Sequence, residues 1–328
     1  MTRTRTRTVR LTAALVGLVV FSAIPFVAAA AGYATVVDVA TRILIYAIAA
    51  VSLDLIIGYG AMVSFGHAMF FSLGGYTVAI IAHHTFGGGP MWGWSGTNAA
   101  LVVWPLALLA CALLAVVVGA LALRTRGVQF IMITLAFAQM IFFVLVSLQA
   151  YGGDDGLLID RRNELPLIDL GQPRTFYFLC FGLLVLWTLV CTSVVNSRFG
   201  LVLQALRQSE RRTINLGIRP LPFRLMAFVV SAVGTGLAGV LWANYARFVS
   251  PDMAAWTKSG EFMAIVILGG LGTLLGPIVG TAVYLALEQV LTSWTEHWMI
   301  VMGPILTMIA LFGRKGMTGR LFGQNNND

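Results

Sequence analysis

Apolar runs of about 18 or more residues recur along the chain, separated by short segments rich in glycine, proline and charge. A helical run of that length matches the hydrocarbon thickness of a bilayer. Helices are the expected unit there, because a backbone without water must satisfy its own hydrogen bonds. Of the 328 residues, 59% are hydrophobic and 10% charged, against roughly 25% charged in a soluble domain. About ten spans are read from the hydropathy pattern: Leu11–Gly32, Thr35–Ile57, Met62–Ala82, Ala100–Leu123, Val128–Ala150, Thr175–Val195, Pro222–Tyr245, Gly260–Gly270, Gly276–Leu291 and Trp298–Gly313. The expected fold is all-α, a single polytopic membrane helix bundle over residues 1–328 with no soluble domain appended. The basic start followed by an apolar run resembles a cleaved signal, but the run from Leu11 is long for one, so a retained first helix is expected.

The net charge of +8 does not point to nucleic acid, because the charges sit in short loops between apolar runs. With the amino terminus inside, fifteen of the 21 basic residues fall in cytoplasmic segments. Five fall outside, namely Arg161, Arg162, Arg174, Arg247 and Lys258. That bias predicts both termini cytoplasmic. Tyr151–Arg174 is then an extracytoplasmic loop, and its Gly-Gly and Pro content predicts an ordered one. Trp92, Trp94, Trp256, Trp294 and Trp298 fall near outer boundaries, as an aromatic belt does. Cys111, Cys180 and Cys191 lie inside apolar runs, and the last two, about 16 Å apart on one helix, cannot form a disulfide.

Between Asn196 and Arg224 the chain turns polar, with six arginines and one acid. Leu201, Val202, Ala205, Leu206 and the small Ser209 make one narrow helical face, with Gln204, Arg207, Gln208 and Arg211 opposite. Ser197 can cap the start, and Gly217 followed by Pro220 gives a stop. A basic amphipathic helix on anionic headgroups has the same composition. Glu210, and the exit straight into another span, favour a rigid lever that holds a soluble partner.

Two glycine-interrupted segments, Gly58–Gly66 and Gly269–Gly276, lie in opposite halves of the chain. Such pairs mark substrate sites in transporters, and they also permit close helix packing. Ser64 and His67, three apart, can line a path or be satisfied by a neighbouring helix. No second metal ligand stands at suitable spacing from His67, so no metal is expected. Asp38 and Arg42 are four apart and are expected to pair. Asp54, Glu261 and Glu288 lie near span ends rather than at mid-depth, which disfavours an ion-coupled carrier. The chain's lysines, Lys258 and Lys315, stand in no Gly-Lys-Ser/Thr loop, so ATP is not expected to bind here. No nucleophile–base pair suggests a membrane enzyme.

Four segments in one order carry a resemblance: Gly58–Ala68 with its Ser-Phe-Gly-His; Arg126–Phe137 followed by Gly152-Gly153; Ser197–Gly217; and Leu268–Pro277. Together they resemble the LivM-type branched-chain amino-acid ABC transporter permease family from about the second helix to the ninth. The family usually has a glycine where Ala61 stands, a small polar residue at Gly60, an asparagine where Asp54 sits and a threonine in place of Tyr151. These departures weaken the carry-over of substrate more than of fold.

The resemblance implies an importer subunit in a bacterial inner membrane, working with a homologous permease subunit, two cytoplasmic ATPases that carry ATP and Mg, and a periplasmic binding protein. No catalytic residue and no cofactor are implied for this chain. ATPase contacts are implied at Arg198, Phe199, Gly200, Ala205, Arg207, Glu210, Arg211, Leu216 and Gly217. Path candidates are Tyr59, Ser64, Phe65, Gly66, His67, Thr134, Gly269, Gly270 and Gly272, and binding-protein contacts are Asp154, Asp155, Arg161 and Arg162. Branched-chain amino acids, urea or short amides, and other small carboxylates all remain open as solutes.

Overall fold

A computed structural model describes residues 17, 19, 21–26, 34–87, 89, 96–166, 169–295 and 297–312. Of the first expected span only residues 17, 19 and 21–26 are described, and these are helical. The rest of that span, the two amino-terminal belt tryptophans and the chain beyond 312 lie outside the described residues. The described helices are α1 (Ala34–Ile57), α2 (His67–Phe86), α3 (Ala100–Ala122), α4 (Val128–Ser147), α5 (Pro173–Asn196), α6 (Arg198–Gln208), α7 (Glu210–Asn215), α8 (Pro220–Ala246), α9 (Trp256–Gly269), α10 (Gly276–Trp294) and α11 (Trp298–Phe312). Five of them, α1, α3, α4, α5 and α8, are long and apolar enough to cross a membrane.

Several expected boundaries move. The third span begins at His67 instead of Met62, because Gly58–Gly66 turns irregularly and Ala61 takes φ +52°. The fifth ends at Ser147, where the chain tightens into 3₁₀ turns at Gln149–Tyr151 and Gly153–Asp155. The eighth starts earlier, at Trp256. The expected loop is pinned by pairing: strand β1 (Leu157–Leu158) lies antiparallel to β2 (Phe248–Val249), a small exception to the all-α expectation. Three asparagines lock it further. The Asn163 backbone N–H donates to Asn244 Oδ1 at 2.8 Å, Asn244 Nδ2 donates to Asn163 Oδ1 at 3.0 Å, and Asn163 Nδ2 donates to Asn98 Oδ1 at 3.2 Å.

α1 and α8 form the centre. Every residue of α1 from Leu44 to Ile56 is fully buried, and α8 packs against α1, α2 and α3. α3 shows how such a bundle sorts its side chains. Val103, Ala107, Cys111, Ala115, Val118 and Ala122 face inward, while Leu101, Leu109, Leu113, Val117 and Leu121 are exposed. Small residues inside let backbones approach, and large apolar ones outside meet lipid. Tyr46, Phe71, Trp242 and Phe262 interlock in edge-to-face and tilted contacts, with centroids 5.3–6.2 Å apart, and tie α1, α2, α8 and α9 together.

Arg42 does not pair with Asp38. Its Nη2 instead donates to Glu288 of α10 at 2.6 Å, while the Asp38 carbonyl accepts from the Tyr245 hydroxyl. The helix-neighbour pair was the local option. A partly buried guanidinium instead takes the partner that shares its enclosure, with side chains 28% and 14% exposed.

The two ends of the bundle differ. One carries the turns at 58–66 and 270–275, the α3–α4 connection and α6–α7, and is rich in arginine. The other carries the β1–β2 loop. At the α2–α8 crossing, a methyl added to Gly74 would run into the carbonyl of Gly236, whereas one added to Gly182 of α5 would meet nothing within 4 Å among the described residues. Gly74→Ala is expected to lower stability by about 1–3 kcal/mol through overpacking. Gly182→Ala should leave stability unchanged or raise it slightly, with unfolding midpoints in detergent distinguishing the two.

Candidate functional site

The short polar segment is two helices, not one. Ser197 caps α6, its Oγ accepting from the Gly200 N–H at 3.3 Å. The expected continuation through Ser209 fails because Ser209 is extended (φ −159°, ψ 103°) and caps α7 by accepting from the Arg212 N–H. The face also differs from the expected one. Gly200, Leu203 and Leu206 are buried, while Ala205 is exposed, Leu201 is 62% exposed and Leu216 78%. Phe199 stacks on Phe223 at 5.8 Å, which ties α6 to the start of α8. Gly217, at φ +83°, ends the unit.

Glu210 is the electrostatic anchor of α7. Arg224 of α8 donates to both its carboxylate oxygens, at 3.3 and 3.0 Å, and Arg126 from the α3–α4 connection reaches it at 2.9 Å. The Arg126 side chain is largely exposed, so its share of the attraction is screened. Arg198, Arg207, Arg211 and Arg212 are exposed. Leu201, Ala205 and Leu216 are thus exposed on the same segment as these four arginines.

Beneath α6 the two glycine-interrupted segments meet. Arg207 Nη1 donates to the Gly58 carbonyl. Asp54, fully buried, accepts the Gly272 N–H on Oδ1 at 2.8 Å. A Cβ on Gly58 would lie 2.7 Å from Gly272 Cα, and Gly270 and Gly272 take φ +108° and +73°. Only glycine lets these turns touch. One junction thus joins α1, the α9–α10 turn and α6, which the sequence placed far apart. Ala61, where the resemblance expects glycine, lies in the same turn.

The remaining path candidates divide. Thr134 Oγ1 accepts from the Phe65 N–H at 3.3 Å, so α4 holds the Phe65–Gly66 turn. Ser64 and His67 do meet, at 3.1 Å, but across the turn that precedes α2 rather than along a helical face. Ser231 Oγ donates to the Ser52 carbonyl at 2.5 Å, so it accepts from His67 Nε2–H at 2.9 Å, and Nδ1 then accepts from Ser64. His67 is wholly buried and flanked edge-on by Phe70 and Phe228. That is a satisfied polar chain joining α1, α2 and α8. Tyr59 is half-buried in the Gly58 turn, and Gly269 is held where a Cβ would strike the Gly276 carbonyl.

At the opposite end Asp154, Asp155 and Arg161 are exposed. Arg162 is half-buried; it donates to the Leu170 carbonyl at 2.7 Å and stacks over Phe176 at 4.8 Å. Burial, then the neighbouring Arg247, lower its pKa. A cavity of about 880 Å³ lies between Arg161, Arg162, Asp169 and Arg247. His84, at the α2 terminus, bonds the Tyr151 hydroxyl at 3.0 Å. Sequence reasoning missed the asparagine lock, the Asp54–Gly272 bond and the Arg42–Glu288 pair. Each joins residues at least 65 positions apart, and no local pattern announces them.

Asp54→Asn keeps a carbonyl oxygen for Gly272 and is expected to change stability little. Asp54→Leu leaves that N–H buried and unpaired and should cost about 1–3 kcal/mol. Thermal unfolding of both variants, together with hydrogen exchange at 269–276, checks this.

Residues 35–311 match the family described as branched-chain amino acid transport system / permease component. The chain is 26% identical over 305 residues to the high-affinity branched-chain amino acid transport system permease protein LivM of Salmonella typhimurium, covering 86% of this chain and 69% of that one. It is 26% identical over 307 residues to LivM of Escherichia coli, with the same coverage. The autoinducer 2 import system permease protein LsrC of Yersinia enterocolitica is 28% identical over 170 residues, 48% of this chain and 45% of that one. No solved structure matches. With its apolar helices, its small-inside packing and this match over most of its length, the chain is a membrane-embedded member of the branched-chain amino acid transport system permease family.

Proposed function

We propose that this chain is one permease subunit of an ATP-driven importer in a bacterial inner membrane, translocating branched-chain or related amino acids. A homologous permease subunit completes the pathway. Two cytoplasmic ATPases, which bind ATP and Mg, dock on α6–α7, and a periplasmic binding protein delivers solute to the β1–β2 end. Both termini lie in the cytoplasm, in keeping with the arginine bias.

The observation that carries this reading is the junction under α6. A unit that exposes Leu201, Leu216 and four arginines is hydrogen-bonded through Arg207 to Gly58. Gly58 packs on the turn that Asp54 holds through Gly272. A force applied to α6 therefore reaches two membrane helices without passing through flexible chain. Closure of the ATPases would rock the bundle between two states.

The name of the LsrC relative favours a second reading, in which the solute is not an amino acid. Competition separates the two, since excess leucine should suppress uptake in the first case and leave it untouched in the second.

Leu201→Glu, on an exposed position, is expected to leave folding intact and reduce co-purification of the ATPases at least tenfold, with ATP-dependent uptake in proteoliposomes falling in parallel. Solute uptake by this chain alone, driven by a proton or sodium gradient, would overturn the reading.

A further inference from the structure

A cavity of about 610 Å³ opens near the β1–β2 end between α1, α8, α9, α10 and α11, within the roughly 300–1,000 Å³ of small-molecule sites. It holds two ion pairs. Arg42 Nη2 meets Glu288 Oε1 at 2.6 Å, and Lys258 Nζ meets Glu261 Oε2 at 2.7 Å. Both cations lie against one ring, the Arg42 guanidinium 5.6 Å and Lys258 Nζ 4.9 Å from the centre of Tyr46. The exposed Asp252 also lines the cavity.

Two features set this enclosure apart from a structural salt bridge. Glu288 Oε2 and Arg42 Nε are buried, and each lacks a hydrogen-bond partner among the described residues. One acceptor on the anion and one donor on the cation of a single ion pair therefore stand unused, where leaving them so is costly. Much of the remaining wall is apolar, and Trp242, Met302 and Leu306 belong to it.

We propose that this cavity is a binding site for an apolar zwitterion, with Arg42 receiving the α-carboxylate, Glu288 receiving the α-ammonium, and the aliphatic chain lying against Trp242, Met302 and Leu306. A rotation of either side chain brings its covered atom to the ligand. Lys258 and Glu261 form a second pair of the same polarity that keeps the field balanced. A group bearing one charge would leave one half of the Arg42–Glu288 pair unanswered, so the site discriminates against simple acids and amines. The assignment rests on the importer reading, and it places solute reception at the end where the binding protein docks. None of the glycine-turn residues takes part.

The test is cysteine protection in the assembled importer in nanodiscs. Thr257, exposed and lining the cavity, is replaced by cysteine and labelled with a maleimide; the native Cys111, Cys180 and Cys191 are buried. Leucine, isoleucine or valine should slow labelling at least fivefold. Leucinamide and 4-methylpentanoate, which each keep one of the two charges, should have at least tenfold weaker effect. Glu288→Gln in the same background should abolish protection by leucine. Gly303→Phe, which fills the cavity from α11, should raise the KM for leucine uptake at least tenfold, and it covers the case where the charge variant fails to assemble. Protection by none of the twenty amino acids, or equal protection by leucinamide, overturns the assignment. If the wild type imports leucine normally while the Thr257→Cys form shows no protection, the site falls and the importer reading stands. If leucine protects but no ATP-dependent uptake occurs, the importer reading falls and the site stands.

Discussion

Lipid tails are as apolar as leucine, so helices in a bilayer gain nothing by hiding large side chains from it; they associate by close backbone contact and by polar bonds. The rest of this structure follows from that constraint. α8 presents Gly234, Gly236 and Gly239 to its neighbours, and Gly74 of α2 meets it where no methyl fits. With backbones this close, short polar side chains can reach across. Ser52, Ser231, His67 and Ser64 form one satisfied chain through three helices. The same closeness brings the Gly58 and Gly272 turns into contact, and so makes the junction on which α6 rests.

The polar groups of the bundle are divided by depth. In the centre Ser52, Ser231, His67 and Ser64 are neutral and bonded to one another, which fixes helix register. The charged ones gather near the ends, Glu210 with two arginines at one and the Arg42 and Lys258 pairs at the other. At the arginine-rich end the charge is structural and holds α7 in place. At the other end the pairs face a cavity and keep bonding capacity in reserve. Position along the membrane normal thus separates what holds the fold from what can take a ligand.

Much of this was legible in the chain. Helices of bilayer length, the Ser197 cap, the Gly217 stop and the unpaired cysteines follow from hydropathy and from local stereochemistry. What was not legible shares one cause. Asp38 and Arg42 satisfied the helix-neighbour rule, yet enclosure by α10 brought Glu288 closer. The apolar face counted from Leu201 ignored the fact that this helix rests on protein, which buried Leu203 instead. Ser209 passed for a small apolar-face residue because its second role, as a cap, depends on a break that spacing alone does not show. Periodicity identifies elements; it cannot say which distant backbone will lie beside them.

That break at Ser209 has a mechanical consequence. α6 is wired through Arg207 to the seam between α1 and the α9–α10 turn, α7 is wired through Glu210 to the α3–α4 connection, and both reach the start of α8, through Phe199 and Glu210. An unbroken rod would transmit one displacement to everything it touches. If the ATPases push on this segment as proposed, a rod jointed at one residue would divide a single stroke between two outputs in proportion to how far the joint flexes. Under that proposal, whatever stiffens or loosens Ser209 would set how the motion is shared.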